Sequence, residues 1–189
     1  MKTQGKAIIL SAPSGSGKST LVNYLLTLDL PVEFSVSATT RLPRGTEKHG
    51  KEYFFYSEEE FKELIANNKL FEWEEVYEGR FYGTLRSELE RIWAMNKAVI
   101  FDVDVAGGMK LKEKFGNDSL SIFILPPSIE ELKNRLLHRS TDDLSEIEKR
   151  IKKAEQEIVF KEKFDNIIVN DVLESAKKEL EHTVIKFLH

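Results

Sequence analysis

Ala7-Ile8-Ile9-Leu10-Ser11-Ala12-Pro13-Ser14-Gly15-Ser16-Gly17-Lys18-Ser19-Thr20-Leu21-Val22 stands near the start of the chain, and its reading decides the fold. Ala7 to Leu10 is a continuous apolar run, the pattern of a short strand buried on both faces. Ser11 to Gly17 is rich in turn formers and ends that strand. From Lys18 to Leu28 the residues Leu21, Val22, Leu25, Leu26 and Leu28 recur at helical spacing. The chain therefore opens as strand, glycine loop and helix, the first unit of an α/β layered protein.

Further along, strand-like and helical patterns continue to alternate. Ala98 to Val105 reads as a second buried strand, ended by Gly107-Gly108 and followed by a helix. Leu120 to Leu125 is a third strand, closed by Pro126-Pro127. Ser128 with Glu131 forms a capping box that opens a helix through Arg139. A polar break, Ser140 to Ser145, precedes a long charged helix over Glu146 to Phe164. Ile167 to Val169 is a last strand, and Leu173 to Leu188 a closing helix.

The block over 34–90 breaks this rhythm. Phe34 to Ala38, Tyr53 to Tyr56 and Phe71 to Tyr77 read as strands, with a polar loop from Thr39 to Glu52. Ser57 and Glu60 cap a helix whose apolar face is Phe61, Leu64 and Ile65, and Arg86 to Met95 is helical. The expected organisation is a parallel-sheet core over 5–33, 91–138 and 155–189. Into it are inserted a lobe over 34–90 with its own small mixed sheet and a small helical lid over 139–154.

Composition limits what such a protein does. The chain has 189 residues, 41% of them apolar and 32% charged, enough for one real core. Lys and Arg total 28 against 32 acids, for a net charge of -4, so a sequence-independent grip on nucleic acid is not expected. With no cysteine, disulfides, iron–sulfur clusters and zinc–thiolate sites are excluded. His49, His138, His182 and His189 form no H-x-x-x-H pair. No apolar run reaches the ~18 residues of a membrane span. Met1 to Lys6 lead straight into the first strand, leaving no room for a signal peptide. A cytoplasmic protein without membrane or nucleic-acid partners is expected, its oligomeric state left open.

The most specific chemistry lies in Ala12 to Ser19, which has the spacing G-x-x-x-x-G-K-[ST] with alanine in the first glycine position. Glycines let successive backbone N–H groups turn inward around phosphate oxygens, and the helix N-terminus adds its partial positive charge. Ala12, Pro13, Ser14, Gly15, Ser16, Gly17, Lys18, Ser19 and Thr20 are thus the candidate ATP-binding residues. Lys18 would reach the β- and γ-phosphates, and the Ser19 hydroxyl would bind Mg²⁺.

A second stretch, Ser35-Val36-Ser37-Ala38-Thr39-Thr40-Arg41-Leu42-Pro43-Arg44, is followed nine residues later by Tyr53. Phe71-Glu72-Trp73, Phe81-Tyr82-Gly83-Thr84 and Phe101-Asp102-Val103-Asp104 come after it in order. Together these resemble the guanylate kinase family, with its S-x-S-x-T-T-R-x-P-R stretch, F-x-E-W/H region, Y-Y-G-T turn and L-D-[IV]-D strand end. The resemblance runs from Gly5 to the C-terminal helix, a domain over 5–185. It implies the P-loop nucleoside monophosphate kinase fold and transfer of the γ-phosphoryl of ATP to GMP.

By that resemblance, Arg41, Arg44, Tyr53 and Tyr82 hold the GMP phosphate, and the planar guanidinium forks suit a doubly charged monophosphate. Glu72 would accept from guanine N1–H and the N2 amino group. Ser37 and Thr84 take the remaining polar edge. Adenine, with an unprotonated N1 in that place, would leave the carboxylate unsatisfied. Strand alternation alone puts Glu72 and Glu74 on one face, and the alignment selects Glu72. Glu72 to Tyr82 is one residue longer than in many relatives.

Arg139 and Arg150 correspond to the family's lid arginines, which with Lys18 and Arg41 make the expected catalytic set; Arg135 is a weaker candidate. Relatives usually have glycine where Ser140 stands. Asp102 is expected either to order magnesium-bound water or to hold the GMP side, with Asp104 less favoured. Asn170, in a V-N-D segment, is expected near the adenine. Two other readings compete. One is a catalytically inert domain of this kind that binds phosphorylated peptides, against which the intact Lys18 and Ser19 argue. The other is a related kinase with another acceptor, against which Glu72 and Ser37 argue.

Overall fold

The apolar run at the start becomes β1 (Ala7–Ser11), every residue of which is buried. The structure, a computed structural model, describes residues 5–139 and 144–189. After β1 come α1 (Lys18–Thr27), β2 (Val32–Phe34), β3 (Ala38–Thr39), β4 (Phe54–Phe55), α2 (Glu58–Ala66), β5 (Leu70–Tyr77), β6 (Arg80–Leu85) and α3 (Arg86–Ala94). The chain continues through β7 (Ala98–Val103), α4 (Val105–Phe115), β8 (Ser119–Leu125), α5 (Ile129–Arg139), α6 (Leu144–Ile158), β9 (Asn166–Val169) and α7 (Leu173–Leu188).

Two compact units result, Met1–Val32 with Ile100–His189, and Glu33–Val99. A five-stranded parallel sheet runs in the order β2-β7-β1-β8-β9. In the first unit β1 pairs with β8, Ala7 opposite Ser119, and β8 pairs with β9. Ile8, Ile9, Leu10, Ile122, Phe123 and Ile124 are fully buried, as are Leu21 and Leu25 of α1 and Leu180 and Val184 of α7. Burying a large apolar side chain contributes about 1.5–3 kcal/mol, so this layer dominates the unit's stability. Alpha-helix α5 packs on α6 through Leu132, Leu136, Ile147 and Ala154.

The second unit holds a mixed four-stranded sheet, β4-β3-β6-β5. Strands β3 and β4 are parallel, while β3–β6 and β5–β6 are antiparallel. Ala38, Phe61, Leu70, Phe81 and Leu85 form its core. The capping box at α2 is present in both directions, Ser57 accepting from the Glu60 N–H and Glu60 from the Ser57 N–H. Among the described residues no helix is long and apolar enough to cross a membrane.

Four local expectations need correction. The strand read over Phe34 to Ala38 is two strands in two sheets, β2 and β3, with 35–37 between them. Phe81 to Thr84, expected as a turn, lies in β6; the turn is one step earlier, where Gly79 has φ 69°. Gly107 and Gly108 sit inside α4 rather than ending a strand. Asp104 caps that helix by accepting from the Gly107 N–H at 2.8 Å, and a Cβ on Gly108 would strike Ser11 Oγ. Gly108 thus allows close approach to β1. Finally, the charged helix stops at Ile158, where its apolar stripe ends. Val159 is exposed, a 3-10 turn follows at Lys161–Lys163, and Phe164 turns inward against Phe123.

Candidate functional site

The glycine loop joins β1 to α1 in the first unit. Gly15 (φ 90°) and Gly17 (φ 87°) adopt left-handed backbone that other residues rarely adopt. Packing fixes both. A Cβ on Gly15 would lie 3.0 Å from Leu132 Cδ1 and Leu136 Cδ2, and one on Gly17 would collide with the Asn170 amide. Asn170 itself is buried, and its Nδ2 donates to the Ser16 carbonyl at 2.7 Å. Arg135 donates to the Asn170 carbonyl at 3.1 Å and is held from Glu131 at 2.9 Å.

Lys18 Nζ donates to the Val103 carbonyl at 2.7 Å and pairs with the Asp102 carboxylate. Ser19 Oγ donates to the other Asp102 oxygen at 3.3 Å. Asp102 thus faces the loop's lysine and hydroxyl. Residues Ala12 to Ser19 line a cavity of about 330 Å³ together with Asp104, Arg150, Lys153 and Glu157. A second cavity, about 680 Å³, is lined by Gly15, Gly17, Thr20, Asn134, Arg135, His138, Asn170 and Asp171 among others. The side chain of Arg139, like residues 140–143, lies outside the described residues.

The second unit gathers the other candidates. Glu72 stands opposite Thr84 in the β5–β6 pair, and Thr84 Oγ1 donates to Glu72 Oε1 at 2.7 Å. Glu74 stands opposite Tyr82 on the same face. The register of this pair shifts between Leu70 and Glu72 and again between Glu75 and Tyr77. The Ser37 carbonyl accepts from the Phe54 N–H at 2.9 Å, which sets it beside β4.

Arg41 is already engaged. Its two terminal nitrogens donate to the two oxygens of Glu47 at 2.9 and 3.0 Å, a bidentate pair. The guanidinium also lies 5.0 Å from the Tyr53 ring centroid, and the Tyr53 and Tyr82 rings are 6.2 Å apart, edge to face. Glu47 additionally accepts from the Arg44 N–H at 2.7 Å, closing the loop that carries both arginines. Hydrogen bonds from Arg41 and then Arg44 hold the Glu47 carboxyl below its usual range, and the same contact with Glu47 raises Arg41.

Sequence reasoning missed Glu47, Lys153 and Glu157. Lys153 and Glu157 fall three and seven positions after Arg150, so helical spacing was a usable signal. Glu47 lies in an irregular loop where no period applies.

The comparisons with known proteins agree with this geometry. The family model for guanylate kinase matches residues 4–186. The chain is 55% identical to the guanylate kinase of Bacteroides thetaiotaomicron over 98% of its own length and 91% of that protein's. It is 50% identical to that of Porphyromonas gingivalis, covering 97% and 98% of the two chains. The crystal structure of guanylate kinase from Anaplasma phagocytophilum superposes with a TM-score of 0.77 at 34% identity, covering 98% of this chain and 87% of that one. A phosphate loop and a glutamate-bearing mixed sheet in one chain, together with these matches, establish that it belongs to the guanylate kinase family.

Proposed function

We propose how the residues above carry out the reaction of this guanylate kinase, which transfers the γ-phosphoryl group of ATP to GMP and gives ADP and GDP. The observation that carries the reading is the pairing of an intact lysine-bearing phosphate loop with Glu72, whose carboxylate is positioned by Thr84. Backbone N–H groups of Ser14 to Ser19 take the donor's phosphates, and Lys18 leaves Val103 and Asp102 to meet them. The larger cavity beside Asn170 takes the adenine end, with Asn170 serving chiefly to hold Ser16 and the loop. Glu72, with Ser37 and Thr84, accepts the guanine edge, and Arg41, Arg44, Tyr53 and Tyr82 hold the acceptor phosphate.

The acceptor is already an anion, so no strong general base is needed. What the residues supply is alignment and charge neutralisation, from Lys18, Arg150 and Arg139 on the donor and from Arg41 on the acceptor. The Ser19 hydroxyl and the Asp102 carboxylate are hard oxygen donors and would hold Mg²⁺, which usually takes one or two protein oxygens with substrate phosphates and water. Bound there, the ion would neutralise phosphate charge. Arg150 of α6 faces the donor's cavity, and the inserted lobe over 34–90 receives GMP. We assign the reaction to the cytoplasm. A coupled assay of ADP formation with GMP, AMP, CMP and UMP tests the reading: turnover with GMP should exceed the others by 10³-fold or more, on the order expected of a paired polar edge. Comparable turnover with AMP would refute it.

A further inference from the structure

Helix α6 is turned by its apolar stripe. Ile147 and Ala154 are buried against Leu132 and Leu136 of α5, with Ile151 packed beside them. That rotation fixes where the neighbouring stripe points, because positions three and four apart share a helix face. Arg150, Lys153 and Glu157 are spaced in this way, and all three line the cavity formed by Ala12 to Ser19. Arg150 corresponds to a family lid arginine. Lys153 and Glu157 follow it on the same face.

We infer that Lys153 is a further cation for the donor's phosphate tail, and that Glu157 holds it ready until the nucleotide enters. The inference rests on the reading that this loop takes ATP. Lys153 Nζ lies 3.6 Å from Glu157 Oε1, a loose ion pair. Lys153 is half exposed, at 53%, whereas Glu157 is 15% exposed, so the lysine can swing on its four-carbon stem while the carboxylate stays. Helix stabilisation alone does not account for the pair, since lysine preceding glutamate by four positions is the weaker order.

Charge completes the argument. Lys18, Arg150 and Lys153 face the cavity with Asp104 and Glu157. A bare carboxylate there would repel phosphate. Burial pushes the Glu157 carboxyl up and Asp104 adds to this, while Lys153 and Lys18 oppose it. Lys153 therefore both offsets that carboxylate in the empty site and supplies charge to the filled one.

Calorimetric titration of ATP and GMP, each alone, onto the full chain tests this. Lys153→Met should weaken ATP about tenfold, the scale of one charge-assisted hydrogen bond, and leave GMP affinity and the melting temperature unchanged. Lys153→Arg should restore ATP binding. Glu157→Gln, which releases the lysine, should bind ATP at least as tightly as wild type. Unchanged ATP affinity in Lys153→Met would overturn the inference, as would equal weakening of both nucleotides or a Glu157→Gln loss matching that of Lys153→Met. Failure of the wild-type chain to bind ATP would instead overturn the assignment of the loop.

Discussion

Each unit keeps a cation engaged by a carboxylate of its own, Lys18 by Asp102 in the first and Arg41 by Glu47 in the second. What holds the surrounding geometry differs. Around Lys18 the groups proposed to take phosphate are backbone N–H groups, and the loop's shape is fixed by two left-handed glycines against Leu132, Leu136 and Asn170. Around Arg41 they are side chains on an exposed loop, tied back by one glutamate. The first site is part of the core's packing, so changes to its frame cost stability. The second rests on one loop whose order depends on Glu47, so changes to that glutamate fall chiefly on substrate affinity.

The largest expected effect falls on the first site. Lys18→Met should lower kcat by roughly 10³-fold or more, since a preorganised cation at transferring phosphate is worth that much, while GMP binding persists. Steady-state rates with a separate GMP titration check it. Glu72→Gln should cut kcat/KM for GMP by roughly 10²-fold with ATP affinity unchanged, because an amide cannot accept both guanine donors. Glu47→Ala frees both Arg41 and the Arg44 backbone. Because the loop that carries both arginines is then no longer held in order before GMP arrives, KM for GMP should rise about tenfold, while KM for ATP stays in place. If ATP affinity fell equally, the contrast between the two sites would fail.

Gly108→Ala should act only on stability, costing about 1–3 kcal/mol in urea unfolding, because the new methyl meets Ser11 Oγ and Phe164. The smallest effect is electrostatic. Burial alone would raise the Asp165 carboxyl, but Lys112, the Ser121 hydroxyl and the Ser121 N–H together hold it below its ordinary 3.8. A carboxyl depressed by folding contributes stability that is present above the ordinary value and lost as pH falls through the folded one. The difference in urea midpoint between the wild type and Asp165→Asn should accordingly shrink below about pH 3.8.

These two sites also mark how far sequence reading reached. The phosphate loop was legible residue by residue, because strand, glycine loop and helix are set by local preference and fixed spacing. The mixed sheet is legible as an interruption, but the local pattern at Phe81 to Thr84 suggests a turn where β6 runs. Its residues Phe81 to Thr84 owe their strand conformation to partners in β3 and β5, which local pattern does not specify. Gly107-Gly108 misled for the opposite reason. Glycine breaks many elements, yet Gly108 serves a close contact with β1 that only the folded chain reveals. The engagement of Arg41 by Glu47 was invisible because an irregular loop has no period to read.

In the proposed site Glu72 recognises guanine by the hydrogens of its Watson–Crick edge. Crystals grown with GMP test it most directly. The carboxylate should accept from N1–H and the N2 amino group at about 2.7–3.0 Å, with the Arg41 fork moved from Glu47 to the phosphate. A bound GMP with the Glu72 carboxylate turned to solvent and Arg41 still on Glu47 would contradict it.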